Sequence, residues 1–205
     1  MAKIKFTKGE LKRQRDALRQ FQRYLPTLQL KKQQLQLEIL QQNIILQDLK
    51  QTLIKKRQAI LAWAGLLAEP EVAIKLFLKT EKTITHQKNI AGVDIPVFER
   101  LGFSEKDYDL FLAPLWLDAA IPALREVVVL NKKISLLQEG VDILKQELRV
   151  TTQRVNLFEK VKIPLAEENI RLIKIYIGDQ MANAVGRSKT AKRKIEEMVL
   201  EEALA

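Results

Sequence analysis

The 205-residue sequence predicts an all-α protein: a long antiparallel two-helix coiled coil formed by its N- and C-terminal arms, with a small central insert of short helices and optionally a β-hairpin. Three observations lead there. Glycine (7) and proline (6) are scarce, so the chain makes few tight turns and a sandwich or barrel is disfavoured. Apolar residues recur every seven positions through both ends of the chain. Residues 68–123 lose that period, which divides the chain into an N-terminal arm (1–67), an insert (68–123) and a C-terminal arm (124–205) within one structural unit.

In the first arm one seam reads Leu11, Leu18, Leu25, Lys32, Ile39, Leu46, Leu53, Ile60, Leu67, and its companion reads Gln14, Phe21, Leu28, Leu35, Gln42, Leu49, Lys56, Trp63. An isolated amphipathic helix drifts about 20° per heptad from such a seam, so a repeat this long implies a left-handed supercoil against another helix. The polar seam residues Gln14, Lys32, Gln42 and Lys56, with Thr151 in the second arm, have two readings: they fix register, or they simply reach solvent on long side chains.

In the insert, Glu69-Pro70 marks a short helix through Leu78. Asn89-Ile90-Ala91-Gly92-Val93 and the following Asp94 to Phe98 suggest a turn with short extended pieces. Ser104 with Asp107 opens another helical stretch. Pro114 and Pro122 bracket the apolar Leu115, Trp116, Leu117 and Ile121, from which the insert is expected to build a small core of its own.

The second arm repeats the first with Val127, Ile134, Val141, Leu148, Val155 and Leu130, Leu137, Leu144, Thr151, Phe158. Its register then slips, and after Pro164 the apolar set becomes Ile163, Ile170, Ile173 and Ile177, as expected where proline removes a backbone hydrogen bond. Folding the arms together gives a rod with a knob at one end and both termini at the other. If Leu67 meets Arg125, then Pro26 lies opposite Ala166 and near Pro164, and a shared bend is expected there.

Net charge is +10, and it is confined: residues 1–67 hold 14 Lys/Arg against 4 Asp/Glu, while the remainder balances. The basic cluster Lys3, Lys5, Lys8, Lys12, Arg13, Arg15, Arg19 and Arg23, with a second group Arg187, Lys189, Lys192, Arg193 and Lys194 expected at the same end of the rod, points to an anionic partner surface. One alternative is a basic helical hairpin that binds nucleic acid, which would show steep loss of binding with added salt.

Catalysis finds little support. The chain has no cysteine and one histidine, His86, in a polar stretch without a nearby acid, so thiolate sites, His-rich metal sites and Ser-His-Asp arrangements are disfavoured. No glycine pair has phosphate-loop spacing. The pairs Glu167-Glu168, Glu196-Glu197 and Glu201-Glu202 read as solvated helix surface. No catalytic residue, cofactor or metal is expected. The apolar run Ala59 to Ala68 is half the roughly 20 residues a bilayer span needs, and no secretory signal is recognised, so the expectation is a cytoplasmic protein without membrane insertion.

Thr151-Thr152-Gln153-Arg154-Val155-Asn156-Leu157-Phe158-Glu159, continuing to Ile163-Pro164 and Ile170 to Ile177, resembles the TxRRVNALE segment and following IP of the D-subunit family of V-type (A/V-type) ATPases. Phe6-Thr7-Lys8 with Leu11 and Leu18 is similar to that family's PTKxxL pattern, Lys31-Lys32 with Leu35 to its KRDxL, and Asn89-Ile90-Ala91-Gly92-Val93 to its NIxGV stretch. The chain departs from the family at Phe6, where proline is usual, at Pro26, at Leu157-Phe158, where Ala-Leu is usual, and at Ala182-Asn183-Ala184-Val185-Gly186-Arg187, where an acidic run is usual.

The resemblance implies a noncatalytic central rotor shaft that couples ATP hydrolysis or synthesis to H+ or Na+ transport. Its implied partners are the A and B subunits of the head, the F subunit of the stalk and the socket subunit on the membrane ring, with no nucleic acid. It further implies a location peripheral to the membrane as part of a membrane-bound complex.

Overall fold

In a computed structural model of the chain, residues 4–68, 74–104, 108–109 and 113–204 are described. They form α1 (Lys8–Leu61), two short 3-10 turns (Ala64–Ala68 and Ile74–Leu76), β1 (Thr80–Ile90), β2 (Val93–Phe103), α2 (Leu117–Leu157), a π turn (Phe158–Lys162) and α3 (Ile163–Leu204). Glu69-Pro70, Asp107 and Lys3 lie outside the described residues. The fold is thus long helices packed together, with a β-hairpin inserted. The chain divides into two compact units, one of residues 30–152 and one of residues 1–29 with 153–205.

In the unit of residues 30–152, the helical segments run antiparallel: Lys31 pairs with Glu147 at 2.8 Å and Lys56 with Glu126 at 3.0 Å, while Arg57 donates to Asn131 at 3.2 Å. Leu35, Ile39, Leu46 and Leu53 are buried from α1, and Val141 and Leu144 from α2. Because α1 stops at Leu61 and α2 starts at Leu117, before Pro122, the expected match of Leu67 with Arg125 does not hold. Pro122, the sixth residue of α2, removes one ladder bond, that to the Asp118 carbonyl, and the helix runs through it.

The hairpin corrects a second expectation, because its strands are 11 residues each rather than short pieces. The two-residue turn Ala91-Gly92 has φ of 51° and 78°, the left-handed pair that matches strand twist in a tight hairpin. Gly92 N–H donates to Asn89 Oδ1 (3.1 Å) and Asn89 Nδ2 to Asp94 Oδ1 (2.6 Å), which closes the turn with side chains. Of the residues expected to build the insert's own core, Leu117 and Ile121 are buried and Leu115 is 95% exposed, and the hairpin packs elsewhere. Alternation places Val93, Ile95 and Val97 on one strand face, and Ile95 joins Leu35, Ile39 and Leu144 in one cluster bordered by Ile90, Ile143 and Leu148. A hairpin this thin has no interior, so its apolar face must borrow one from the helices.

In the other unit, α1 begins with an N-cap: Thr7 Oγ1 accepts from Glu10 N–H at 3.2 Å. Phe6 packs on Tyr176 and Phe21 on Phe158, with ring centroids 5.1 and 5.3 Å apart. Pro26 therefore lies at the level of about residue 153 rather than opposite Ala166, and α1 stays helical through it. The register slip does have its cause at Pro164. Its ring would crowd the carbonyl four residues back, and the backbone instead widens by one residue, with Ile163 N–H bonded to Phe158 O. That inserted residue resets the seam from Phe158 to Ile163, after which Ala166, Ile170, Ile173 and Ile177 resume the 3-4 spacing.

Candidate partner-binding surfaces

The seam residues set what remains for partners. Leu11, Leu18, Leu25, Leu28, Leu49, Ile60, Ile134, Leu137 and Leu148 are half-buried, Val155 is buried, and among the α1 seam positions only Lys56 is exposed. No described buried side-chain polar atom is left without a partner. With that stripe turned inward, the charged residues face water.

In the terminal unit Lys5, Lys8, Lys12, Arg13, Arg15, Arg19 and Arg23 are all exposed. Lys8, Lys12, Arg15 and Arg19 follow spacing 4, 3, 4 and so share one face of α1. Only two ion pairs of this group are present among the described residues, Arg13 with Glu10 at 4.0 Å and Arg19 with Asp16 at 3.9 Å. Such exposed pairs contribute at most a few tenths of a kcal/mol and leave the field of the stripe largely uncancelled.

The second group, Arg187, Lys189, Lys192, Arg193 and Lys194, is exposed on α3. Lys192 and Arg193 reach Glu196 and Glu197 at 3.7 and 3.5 Å. Since α1 begins beside Tyr176, Arg187 stands about 16 Å further along α3. The two basic groups therefore follow one another along the helix axis and do not lie side by side. Beyond Ile177, every described side chain up to Val199 is exposed.

Three residues that sequence reasoning missed fix the insert. Arg125 Nε donates to Phe77 O (3.1 Å) and an Nη to Ser104 O (3.2 Å), and its guanidinium lies 5.1 Å from the Phe103 ring. One planar group thus ties both ends of the hairpin to α2. Lys133 sits over Phe98 at 5.4 Å, and Gly140 leaves room for Ile95. Nothing in the local sequence singles these out, since each acts on residues distant in the chain.

Tyr108 donates to Asp118, and that bond to a carboxylate raises the phenol above its ordinary value. Glu168 accepts a bidentate pair from Arg171 (2.8 and 2.7 Å), which lowers its carboxyl. Tyr108 is half-buried and Glu168 exposed. His86 is exposed on β1, opposite Val97. Among the described residues no cluster of His, Asp and Glu is arranged to hold a metal, and no helix is long and apolar enough to cross a membrane. What the described residues of the two basic groups present is exposed, positively charged surface.

The family model for the D subunit of ATP synthase matches residues 10–193, which takes in both helical arms and the hairpin. The chain belongs to the ATP synthase D-subunit family. It is 42% identical over 194 residues to the V-type ATP synthase D subunit of Borreliella burgdorferi, covering 94% of this chain and 95% of that one. Similarity to the V-type ATP synthase D subunits of Chlamydia caviae (34% over 198 residues) and Chlamydia abortus (33% over 198 residues) covers 96% of this chain and 95% of each relative. The D subunit is the noncatalytic central-stalk component of the V-type ATPase complex and couples its head to its membrane ring. As a D subunit, the chain is a structural and coupling component rather than an enzyme.

Proposed function

We propose that this D subunit works as the shaft between an A/B head that hydrolyses or makes ATP and a membrane ring that carries H+ or Na+, with the F subunit and the socket subunit as its stalk partners. In this reading it acts from the cytoplasm, peripheral to the membrane. The arms 1–67 and 124–205 carry torque as one structural unit, with residues 68–123 attached as the insert, and the head holds the shaft through acidic loops facing the basic residues. The observation that carries the reading is the 42% identity to a V-type D subunit over 194 residues, 94% of the chain.

The mechanical argument is general. Twisting a pair of helices about its axis pulls packed side chains out of their opposing gaps, so a continuous apolar seam resists torsion better than a single helix. The charge asymmetry supplies the second half: cations without internal partners attract an acidic collar at long range, and that attraction weakens as salt rises.

Reconstitution of the complex with and without this chain tests the proposal. ATP hydrolysis that persists without the chain but no longer drives ion transport is the expected result, and failure of the chain to join the A, B and F subunits would overturn it. Replacing Lys5, Lys8, Lys12, Arg15 and Arg23 by Gln is expected to lower head affinity at least tenfold at low salt and much less at high salt. Equal affinity of the variant and the unaltered chain at both salt levels would remove the role given to these residues.

A further inference from the structure

Where the hairpin packs on the helical segments of residues 30–152, the three elements leave a space between them. A cavity of about 200 Å³ is walled by Ile45 and Leu49 of α1, Leu137 and Val141 of α2, and Ile95 and Val97 of β2. Gly140, also in the wall, contributes no side chain to fill it. Three long polar side chains reach the cavity, Gln42, Lys88 and Lys133, and no Asp or Glu lines it. Gln42 is already engaged, with its Nε2 donating to Glu38 Oε1 at 2.7 Å.

The two lysines are unusual for where they stand. Lys88 lies opposite Ile95 in the strand register, so it leaves the hairpin on the face that turns toward the helices. Its cross-strand neighbours on that face are Val93, Ile95 and Val97, none of them acidic. Lys133 has only Val129, Leu130, Leu136 and Leu137 three and four positions away along α2, and its ammonium lies 5.4 Å from the Phe98 ring. Neither lysine forms an ion pair among the described residues. Lys31 and Lys56 of the same unit do, with Glu147 and Glu126. Lysine stems commonly lie along apolar surface, which explains their place at the cavity and leaves both charges without a counterpart.

We propose that this cavity binds a small carboxylate with an unbranched apolar tail, the tail between Leu49, Leu137 and Ile95 and the carboxylate at Lys88 and Lys133. The volume sets the length: at about 30 Å³ for a methylene-sized group, the space admits a tail of roughly seven carbons. The apolar walls favour hydrocarbon, and two cations without internal partners favour an anion at its end. Phosphate esters fit less well. Phosphate sites draw on backbone N–H groups at helix N-termini or glycine turns, whereas this cavity lies along the middle of α1 and α2, and Pro96 in its wall has no N–H. Because the walls come from three elements, a bound ligand ties the hairpin to both helices and stabilises that packing by mass action. The inference does not rest on the stalk reading, since every residue it uses belongs to this chain.

Octanoate is the probe. Titrated into the full chain carrying labelled Ile, Leu and Val methyl groups, it is expected to shift the signals of Ile45, Leu49, Ile95 and Leu137 saturably. From butanoate to octanoate, Kd should fall about fourfold for each added methylene, with little further gain in dodecanoate once the cavity is full. Octanol should bind about tenfold more weakly than octanoate. Lys88→Gln and Lys133→Gln should each weaken octanoate about fivefold and leave octanol unchanged, a split that a merely structural lysine would not give. Ile45→Trp, at a half-exposed wall position, should block the probe at unchanged helix content. Absence of saturation, equal binding of octanol and octanoate, unaffected lysine variants, or shifts spread over Leu37 and Leu40 would each overturn the inference. So would loss of octanoate binding in the native complex purified through a tag on this chain, which would make a neighbouring protein's side chain the occupant. None of these results touches the stalk assignment.

Discussion

Residues 30–152 and the terminal unit are built from the same material, antiparallel helical segments with a 3-4 apolar seam, and they bury it in different ways. In the middle unit Leu35 and Leu144 are wholly buried because Ile95 of the hairpin closes the core from a third side. In the terminal unit the seam has two walls only: Ile173 is wholly buried and Val155 nearly so, but Phe6, Phe21, Phe158 and Tyr176 meet as isolated ring pairs. Past Ile177 no opposing helix is present among the described residues, and burial stops. Helical spacing is thus common to both units, single side chains of either leave water completely, and the hairpin adds to the middle unit an apolar contact that a helix pair alone does not supply.

The comparison breaks most visibly in the core. Leu144→Ala should destabilise the full chain by about 3–4 kcal/mol, and Ile173→Ala by about 1 kcal/mol less, because two helices can close on a gap more readily than three elements can. Urea unfolding followed by circular dichroism measures both, and equal losses would erase the distinction between the units. Arg125→Ala should be next, at about 2 kcal/mol, from two lost hydrogen bonds to carbonyls and the ring contact. Arg125→Lys should recover less than half, since a single ammonium does not span both carbonyls; full recovery would mean that charge alone holds the hairpin base.

Thr7→Ala removes the cap of α1 in the two-walled unit and should weaken it by about 1 kcal/mol. Faster amide exchange confined to the first turn after Lys8 would locate the effect, and unchanged exchange there would show the cap to be idle. The smallest effect concerns pH. Tyr108 is held protonated by its bond to Asp118, so its folded value lies above the ordinary phenol value of about 10. The stability from that bond is present below the ordinary value and is lost as pH rises through the raised one. Stability measured from pH 9 upward should fall less steeply in a Tyr108→Phe chain, and identical slopes would contradict the assignment.

The long helices and their inward stripe were legible because period seven is a one-dimensional signal: Leu35, Ile39, Leu46 and Leu53 declare their face by spacing alone. The break after Phe158 was legible from Pro164, though its form, one residue inserted as a π turn, was not. The hairpin was half legible, since Asn89 to Val93 marks the turn but β1 has only Ile84 and Ile90 as apolar residues and so lacks the alternation that announces a half-buried strand. The basic groups stood out by composition. Their positions along the terminal unit depended on where α1 begins, and that follows from Phe6 meeting Tyr176.

Spacing and charge by themselves determined that the chain is helical, which stripe turns inward, and that its N-terminal third is basic, because each is a property of neighbours within a turn or two. Which residues face one another, that the hairpin lies in the helix core, and that Arg125 ties down both its ends were decided only in three dimensions. Those contacts join residues tens of positions apart, and their energy depends on shapes that meet only once the chain has folded back.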